Sequence, residues 1–133
     1  MGDIETIRKI LKEARTIAVV GLSTNPARPS HGVAQYLMRQ GYRVIPVNPA
    51  YAEVLGEKCY ASLRDIPEPV DVVDCFRKPT ELMPIVDDAI AIGAKTLWMQ
   101  LGVINEAAAA KSRAAGMQVV MDHCIKIEHM RLG

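Results

Sequence analysis

The chain has 133 residues, of which 50% are hydrophobic and 23% are charged, and its formal net charge is +1. This size predicts a single domain over residues 1–133, and the composition excludes a disordered chain. The near-zero charge argues against a nucleic-acid partner, and no run approaches the roughly 20 apolar residues of a membrane span.

Apolar runs rich in β-branched residues alternate with amphipathic segments along the chain. The predicted elements are a helix over Asp3–Ala14, a strand over Thr16–Val20, a helix over His31–Gln40, a strand over Tyr42–Val47, a strand over Val70–Phe76, a helix over Thr80–Ile92, a strand over Thr96–Met99, a helix over Asn105–Ala115 and a strand over Gln118–Met121. Such alternation indicates right-handed βαβ units. The sequence therefore predicts an α/β fold, a Rossmann-like parallel sheet of about five strands with helices on both faces.

Two segments lie outside this alternation. Asn48–Pro69 is rich in Pro, Gly and charge, and it reads as connecting structure with a weak edge strand near Lys58–Tyr60 and a helical turn at Ser62–Ile66. The tail, Ile125–Leu132, carries apolar residues that would cover the domain's own sheet edge or pair with another subunit. A homo-oligomer is therefore one open alternative.

The three cysteines, Cys59, Cys75 and Cys124, form neither a CxxC pair nor a zinc-ligand spacing. An odd number of cysteines also argues against a disulfide framework. Acidic residues near the N-terminus are untypical of a secretory signal. The sequence therefore predicts a cytoplasmic protein with reduced thiols, no metal site and no membrane partner.

The loop after the first strand, Gly21–Ser30, leads directly into a helix, and we call it the Gly21 loop. In Rossmann-like sheets the ligand lies beyond the carboxyl ends of the strands. A tight glycine turn, hydroxyl donors, an arginine and a helix N-terminus all favour an anion there. The candidate binding residues are Gly21, Leu22, Ser23, Thr24, Arg28, Ser30 and His31. The alternative is a rigid surface turn formed by Asn25-Pro26 and Arg28-Pro29.

A dinucleotide site is disfavoured by the same loop. The G-x-G-x-x-G pattern requires glycine where this chain has Ser23 and Pro26. Binding of NAD also calls for an acidic residue after the second strand to hold the ribose diol, and here Asn48 and Pro49 follow it. An acidic residue would repel a nearby phosphate and Asn48 would not, so Asn48 and Pro49 are further candidate binding residues. No G-x-x-x-x-G-K-[ST] run is present, which excludes a P-loop NTPase.

Two further strand-end loops carry candidate binding residues. They are Phe76, Arg77 and Lys78 after the third strand, and Gln100, Leu101 and Gly102 after the fourth. The first loop would place a ring and two cations beside a nucleotide, or it is a solvated basic turn. The second offers an amide and close backbone approach, or it is a plain βα turn. Together with Arg28, the cations Arg77 and Lys78 would suit a ligand with several phosphates.

Four segments together carry a family resemblance. They are Val19–Ser23 with Asn25-Pro26 and Arg28, Val44–Pro49, Lys95–Gly102 and Asp122–Cys124. In these motifs the chain resembles the coenzyme A-binding domain family, the stand-alone relatives of the N-terminal domain of the succinyl-CoA synthetase α subunit. The resemblance implies that the Gly21 loop holds the phosphates of coenzyme A, that the turn at Phe76 packs on the nucleotide, and that Gln100–Gly102 lines the pocket.

Catalysis is not expected from the residues present. The ligase relatives phosphorylate a histidine in a further domain, and no signature pairs His31, His123 or His129 with a nucleophile or a metal-ligand set. Cys124 would meet the pantetheine end of coenzyme A or act as a small buried hydrophobe. The sequence thus predicts a non-enzymatic carrier, sensor or accessory module for coenzyme A or an acyl-CoA. An NAD(P)-dependent enzyme and a subunit whose function lies in a partner protein stay open.

Overall fold

The computed structural model describes residues 4–132. In chain order its elements are α1 (Ile4–Glu13), β1 (Thr16–Val20), α2 (Pro29–Arg39), β2 (Arg43–Val47), β3 (Glu53–Val54), β4 (Glu57–Lys58), β5 (Val72–Cys75), α3 (Leu82–Ala91), β6 (Thr96–Met99), α4 (Glu106–Ala114), β7 (Gln118–Val120) and α5 (Ile125–Met130). Short 3-10 helices cover Leu63–Asp65 and Pro79–Glu81. Within residues 4–132, none of the helices has the length and apolar character needed to cross a membrane.

Five strands form one parallel sheet in the order β2-β1-β5-β6-β7. Most of their residues are buried, as expected for parallel strands that are covered by helices on both faces. The strand order reverses between β1 and β5, and this switch point is where Rossmann-like sheets bind their ligands. The predicted α/β Rossmann-like fold is confirmed.

Alternate residues of the strands feed two apolar layers. On one face Ala18 and Val73 belong to the cluster that includes residues of α3 and α4. On the other face Ile17 and Trp98 belong to the cluster that includes residues of α1, α2 and α5. The sheet is therefore covered on both sides, and its carboxyl edge lies between the two helical layers.

Two helices begin two residues away from their predicted starts. α2 begins at Pro29, two residues before the predicted start, because proline at the first helical position already has a helical φ. Ser30 and His31 consequently belong to the first turn of α2. The third helix begins two residues later than predicted, at Leu82, after a 3-10 turn. The predicted start of the first helix, Asp3, lies outside the described residues.

The connection between β2 and β5 is more ordered than the sequence indicated. β3 and β4 form a small antiparallel hairpin that was not predicted. The predicted edge strand near Lys58–Tyr60 is present only in part, since Lys58 ends β4 and Tyr60 makes a single parallel bridge to Val47. The predicted helical turn is confirmed as the 3-10 helix Leu63–Asp65.

The C-terminal tail folds back on the helices rather than on the edge of the sheet. The Tyr36 hydroxyl of α2 lies 2.6 Å from Nδ1 of His129 in α5, and the Tyr42 ring meets the same imidazole edge-on. Ile125 is fully buried in the apolar cluster of α1 and α2. Of the tail's apolar residues, Ile125 packs into the cluster of α1 and α2, whereas Ile127 and Met130 are exposed, so the prediction that the tail covers the sheet edge is not confirmed. Its pairing with another subunit stays a prediction.

Candidate functional site

The loops that follow β1 and β5 meet at Gly21. Its φ is +87°, a backbone conformation that residues with a side chain rarely adopt. A Cβ atom at this position would lie only 2.5 Å from the carbonyl oxygen of Phe76. The Gly21 N–H donates to the carbonyl of Val47 at 2.8 Å, which ties the turn to β2. Gly21 therefore lets three strand ends converge at the switch point.

Short polar side chains hold the shape of the Gly21 loop. The buried Ser30 hydroxyl accepts a hydrogen bond from the Ser23 N–H at 3.1 Å. The Ser23 hydroxyl accepts from the Asn25 N–H at 3.0 Å, and the Asn25 side chain accepts from the Ala27 N–H at 2.9 Å. These local bonds make a series of turns that is already shaped before any ligand arrives. The Ser30 hydroxyl therefore stabilises the conformation of the Gly21 loop.

The beginning of α2 offers hydrogen-bond donors and positive charge. In the described chain no side chain caps the first turn of this helix, which follows the exposed Arg28. Pro29 has no N–H and the His31 N–H donates to the Arg28 carbonyl at 3.1 Å, so the helix dipole and the charge of Arg28, more than free N–H groups, favour an anion at this end. No carboxylate of residues 4–132 forms an ion pair with Arg28. His31, by contrast, is buried in the helix.

The turn after β2 supports the Gly21 loop from the side. The Asn48 side-chain N–H donates to the carbonyl of Leu22 at 3.1 Å, and the Asn48 side-chain oxygen accepts from the Ala50 N–H at 2.9 Å. Leu22 is fully buried, so it supports the loop from within. Asn48 therefore positions the loop, while the exposed Pro49 borders the neighbouring groove.

Tyr51 is a further candidate residue that the sequence did not predict. Hydrogen bonds with the side chains of Thr24 and Ser23 hold the pKa of Tyr51 below its ordinary value, and the charge of Arg28 adds to this lowering. Its ring packs against the apolar cluster of α2. Tyr51, from the turn after β2, thus brings a third hydroxyl to the two hydroxyls and the guanidinium of the Gly21 loop. The available signal was an aromatic residue close behind Asn48, in the turn where ligands meet the second strand.

A groove of about 350 Å³ opens beside Gly21 on the α3 side of the sheet. Its lining is mostly apolar and comprises Val20, Val47, Pro49, Ala61, Ser62, Leu63, Arg77, Glu81, Pro84, Ile85 and Asp88. The half-buried Arg77 lies at its mouth, where its Cδ is 3.4 Å from the position of a Cβ at Gly21. Within the described ranges Arg77 has no carboxylate partner. A guanidinium thus stands between the Gly21 loop and an apolar groove.

The two carboxylates of the groove are engaged with other groups. Asp88 binds the guanidinium of Arg64 at 2.6 Å, and Glu81 accepts a hydrogen bond from the Lys78 N–H at 3.3 Å. The Lys78 side chain itself is exposed at the turn after β5. Because both carboxylates interact with donors of the protein, their repulsion of an anion bound in the groove is weakened.

The predicted site residues after β6 are engaged by the C-terminal segment. The buried Gln100 accepts a hydrogen bond through its side-chain oxygen from the Ile125 N–H at 3.1 Å. The Gly102 N–H donates to the Asp122 carboxylate at 2.7 Å. Leu101 points outward and is largely exposed. The loop after β6 therefore binds the start of α5 through its polar groups and presents an apolar side chain at the edge.

A buried carboxyl group lies below the turn after β5. Asp74 is fully buried between Val19 of β1 and Trp98 of β6, and neither of its oxygens has a hydrogen-bond partner among residues 4–132. Burial raises the pKa of Asp74 well above its ordinary value. The low-dielectric surroundings thus favour the neutral acid, so Asp74 adds little negative charge near the site.

His123 and Cys124 lie in the segment between β7 and α5. Nδ1 of His123 lies 3.5 Å from Glu128, which also binds Arg131 at 3.0 Å. Cys124 is half-buried directly before α5. Among residues 4–132 no cluster of three or more His, Cys, Asp or Glu side chains could hold a metal ion. The arrangement gathers binding groups at the switch point and ion pairs on the tail.

Comparison with known proteins gives concordant matches. A family model described as "CoA binding domain" matches residues 15–130. The protein YneT of Bacillus subtilis is 41% identical over 123 residues, which are 92% of this chain and 91% of YneT. A solved structure of a protein from Pyrococcus horikoshii OT3 is 46% identical with a TM-score of 0.96, covering 99% of this chain and 94% of that one.

A part of a larger enzyme is also similar. The acetate–CoA ligase (ADP-forming) II of Archaeoglobus fulgidus is 32% identical over 74 residues. These residues are 54% of this chain but 11% of the ligase. The similarity to this enzyme therefore concerns one small portion of it.

Proposed function

This chain belongs to the family of CoA-binding domains, and from that premise we propose that it binds coenzyme A at the carboxyl edge of its sheet. The diphosphate would lie on the Gly21 loop and the first turn of α2, and the adenosine part in the adjoining groove. The protein would act as a carrier, sensor or accessory module that leaves the ligand chemically unchanged.

The placement of Arg77 against Gly21 carries this proposal. Arg77 is half-buried with its Cδ against Gly21, and no described carboxylate pairs its guanidinium, so this cation is available to a ligand phosphate. Arginine binds phosphate oxygens in a bidentate, charge-assisted manner. Lys78 follows Arg77 on the same turn and Arg28 stands on the Gly21 loop, so a ligand with a diphosphate and a further ribose phosphate would meet three cations.

Asn48 supports coenzyme A over a nicotinamide dinucleotide. It occupies the place after β2 where an acidic residue would hold the ribose diol of NAD. Its side chain is also engaged with the carbonyl of Leu22 and the N–H of Ala50. A ribose diol would therefore lack its usual carboxylate, while a phosphate would meet no repelling charge.

The thiols and the tail suggest where the protein acts and how it would self-associate. Cys59 and Cys75 are buried and Cys124 is half-buried, all three as free thiols. We place the protein in a reducing cytoplasmic setting on that basis. The exposed Ile127 and Met130 of α5 would be the contact surface of a homo-oligomer.

Ligand-dependent melting tests the proposal. Coenzyme A, dephospho-coenzyme A, NAD, NADP and ATP are compared at equal concentrations, since a ligand at 100 times its Kd stabilises by about 2.7 kcal/mol. Coenzyme A should raise the Tm most, and the recovered ligand should be unchanged. An equal or larger shift with NAD would overturn the proposal.

A further inference from the structure

Two large apolar side chains stand exposed on the loop after β6. Leu101 is 66% exposed and Ile104 is 50% exposed. The other large apolar side chains exposed in residues 4–132 are Ile4, Ile127 and Met130, which lie on α1 and α5. In the described chain, Leu101 and Ile104 are thus the exposed apolar pair of the sheet's carboxyl edge.

The exposure of this pair is built into the loop. The Val103 N–H donates to the carbonyl of Gln100 at 2.8 Å, and the Gly102 N–H donates to Asp122 at 2.7 Å. At its far end the Asn105 side chain donates to the carbonyl of Pro79 at 2.9 Å. Val103 is buried between the two exposed residues. The loop therefore turns Val103 inward and holds the pair outward.

The pair lies within reach of the proposed diphosphate position. The β6 loop is two strands from the Gly21 loop, which corresponds to about 10 Å at the usual spacing of parallel strands. The extended pantetheine arm of coenzyme A is longer than this distance. It would pass the turn after β5 and bring its sulfur to the region of the pair.

The chemistry of the loop selects what can lie on it. Residues 101–104 read Leu-Gly-Val-Ile, so this stretch offers no polar side chain to a thiol or an amide. An aliphatic chain laid on two fixed apolar side chains gains from the removal of both surfaces from water. A hydrophobic acyl group would bury more apolar surface on Leu101 and Ile104 than the free thiol end of coenzyme A would.

We propose that Leu101 and Ile104 receive the acyl chain of an acyl-coenzyme A, so that the ligand is a thioester with an aliphatic acyl group rather than free coenzyme A. This inference rests on the proposed function and names its ligand class. Leu101 and Ile104 would determine which acyl chain is preferred, whereas the phosphate contacts would provide the affinity that all coenzyme A compounds share.

Titration calorimetry with acetyl-CoA and hexanoyl-CoA tests the inference. Full burial of one CH₂ group is worth about a fourfold gain in affinity. On an open surface about half of that free energy is expected for each of the four additional CH₂ groups, so hexanoyl-CoA should bind the wild type about 15-fold tighter than acetyl-CoA. In a Leu101→Ser, Ile104→Ser double variant this ratio should fall close to one. The matched Ile127→Ser, Met130→Ser variant on α5 should retain it.

The outcomes separate this inference from the proposed function. If none of the coenzyme A compounds binds, the proposed function fails. If both thioesters bind equally well to the wild type, the proposed function stands and the acyl inference is overturned. A wild-type dimer that the Leu101→Ser, Ile104→Ser variant converts to monomer would likewise overturn it, because the pair would then be an interface. Melting curves check that each variant is folded.

Discussion

The two halves of the sheet's carboxyl edge use their polar groups in opposite ways. At the switch point Arg28 and Arg77 have no carboxylate partner within residues 4–132. On the other half, Gln100 binds the N–H of Ile125 and Asp122 binds the N–H of Gly102. Both halves lie at strand ends. A position at a strand end is therefore a weak sign of a binding site, and a polar group that the fold leaves unpaired is a stronger one.

The two halves also differ in how closely other atoms surround their glycines. Gly21 and Gly102 both have a positive φ. A Cβ at Gly21 would collide with the Phe76 carbonyl, whereas no described atom lies within 4 Å of a Cβ at Gly102. The switch-point half is therefore closely packed around its glycine, and the other half is open.

Gly21→Ala should have the largest effect and is a direct test of this contrast. It should lower the free energy of unfolding by about 2–5 kcal/mol, because left-handed strain of about 1–2 kcal/mol adds to a packing clash of about 1–3 kcal/mol. The matched Gly102→Ala variant should show the strain alone. Urea denaturation measures both. Equal losses in the two variants would mean that the contact with Phe76 contributes nothing.

Asp74→Asn should change how stability depends on pH. The folded protein holds the Asp74 proton to a higher pH than the unfolded chain, so this carboxyl destabilises the fold increasingly as the pH rises above about 4. Relative to wild type, the variant should gain up to about 1.4 kcal/mol per pH unit, or up to about 2.7 kcal/mol between pH 5 and pH 7. Urea denaturation at the two pH values measures the gain. The exposed Asp65→Asn variant serves as control, and parallel pH curves for Asp74→Asn and wild type would contradict the neutral-acid assignment.

Arg77→Met should separate binding from stability at the switch point. Methionine keeps an apolar stem against Gly21 and removes the charge, so coenzyme A should bind about 10- to 100-fold more weakly. The free energy of unfolding should stay within about 0.5 kcal/mol of wild type. Calorimetry and urea denaturation give the two quantities, with Arg113→Met on α4 as a control. An unchanged affinity would remove Arg77 from the site.

Gln100→Leu should show the reverse pattern with the smallest effect. The Ile125 N–H loses its partner, which should lower the free energy of unfolding by about 1–2 kcal/mol. The affinity for coenzyme A should change less than in Arg77→Met. The same two measurements apply. A larger loss of affinity than of stability would show that the amide serves the ligand, as the family resemblance implies.

The main sheet was predictable because strands of a parallel sheet that are buried on both faces have continuous apolar sequences. Thr16–Val20 is such a run, and Gly21 ends it. The β3–β4 hairpin was not predictable, because its strands have two residues each and show no periodicity. Its place depends on the packing of Val54 against the α2 face, which is a tertiary contact.

The site was predictable as a set of strand-end residues but not as a geometry. Gly21 and Arg77 both follow buried strands, yet they touch only because the strand order places β5 beside β1. Tyr51 was missed for the same reason, since Thr24 approaches it through the fold. The partner of Gln100 lies on the tail, whose docking onto the helices had no signature in the sequence.

An amide chemical-shift titration with free coenzyme A tests the central claim most directly. Each backbone N–H of the ¹⁵N-labelled protein reports whether the ligand lies near it. The account predicts the largest shifts in the Gly21 loop and at Phe76–Lys78, with small shifts at Asp122–Ile125. The largest shifts at Asp122–Ile125, with the Gly21 loop unperturbed, would contradict it.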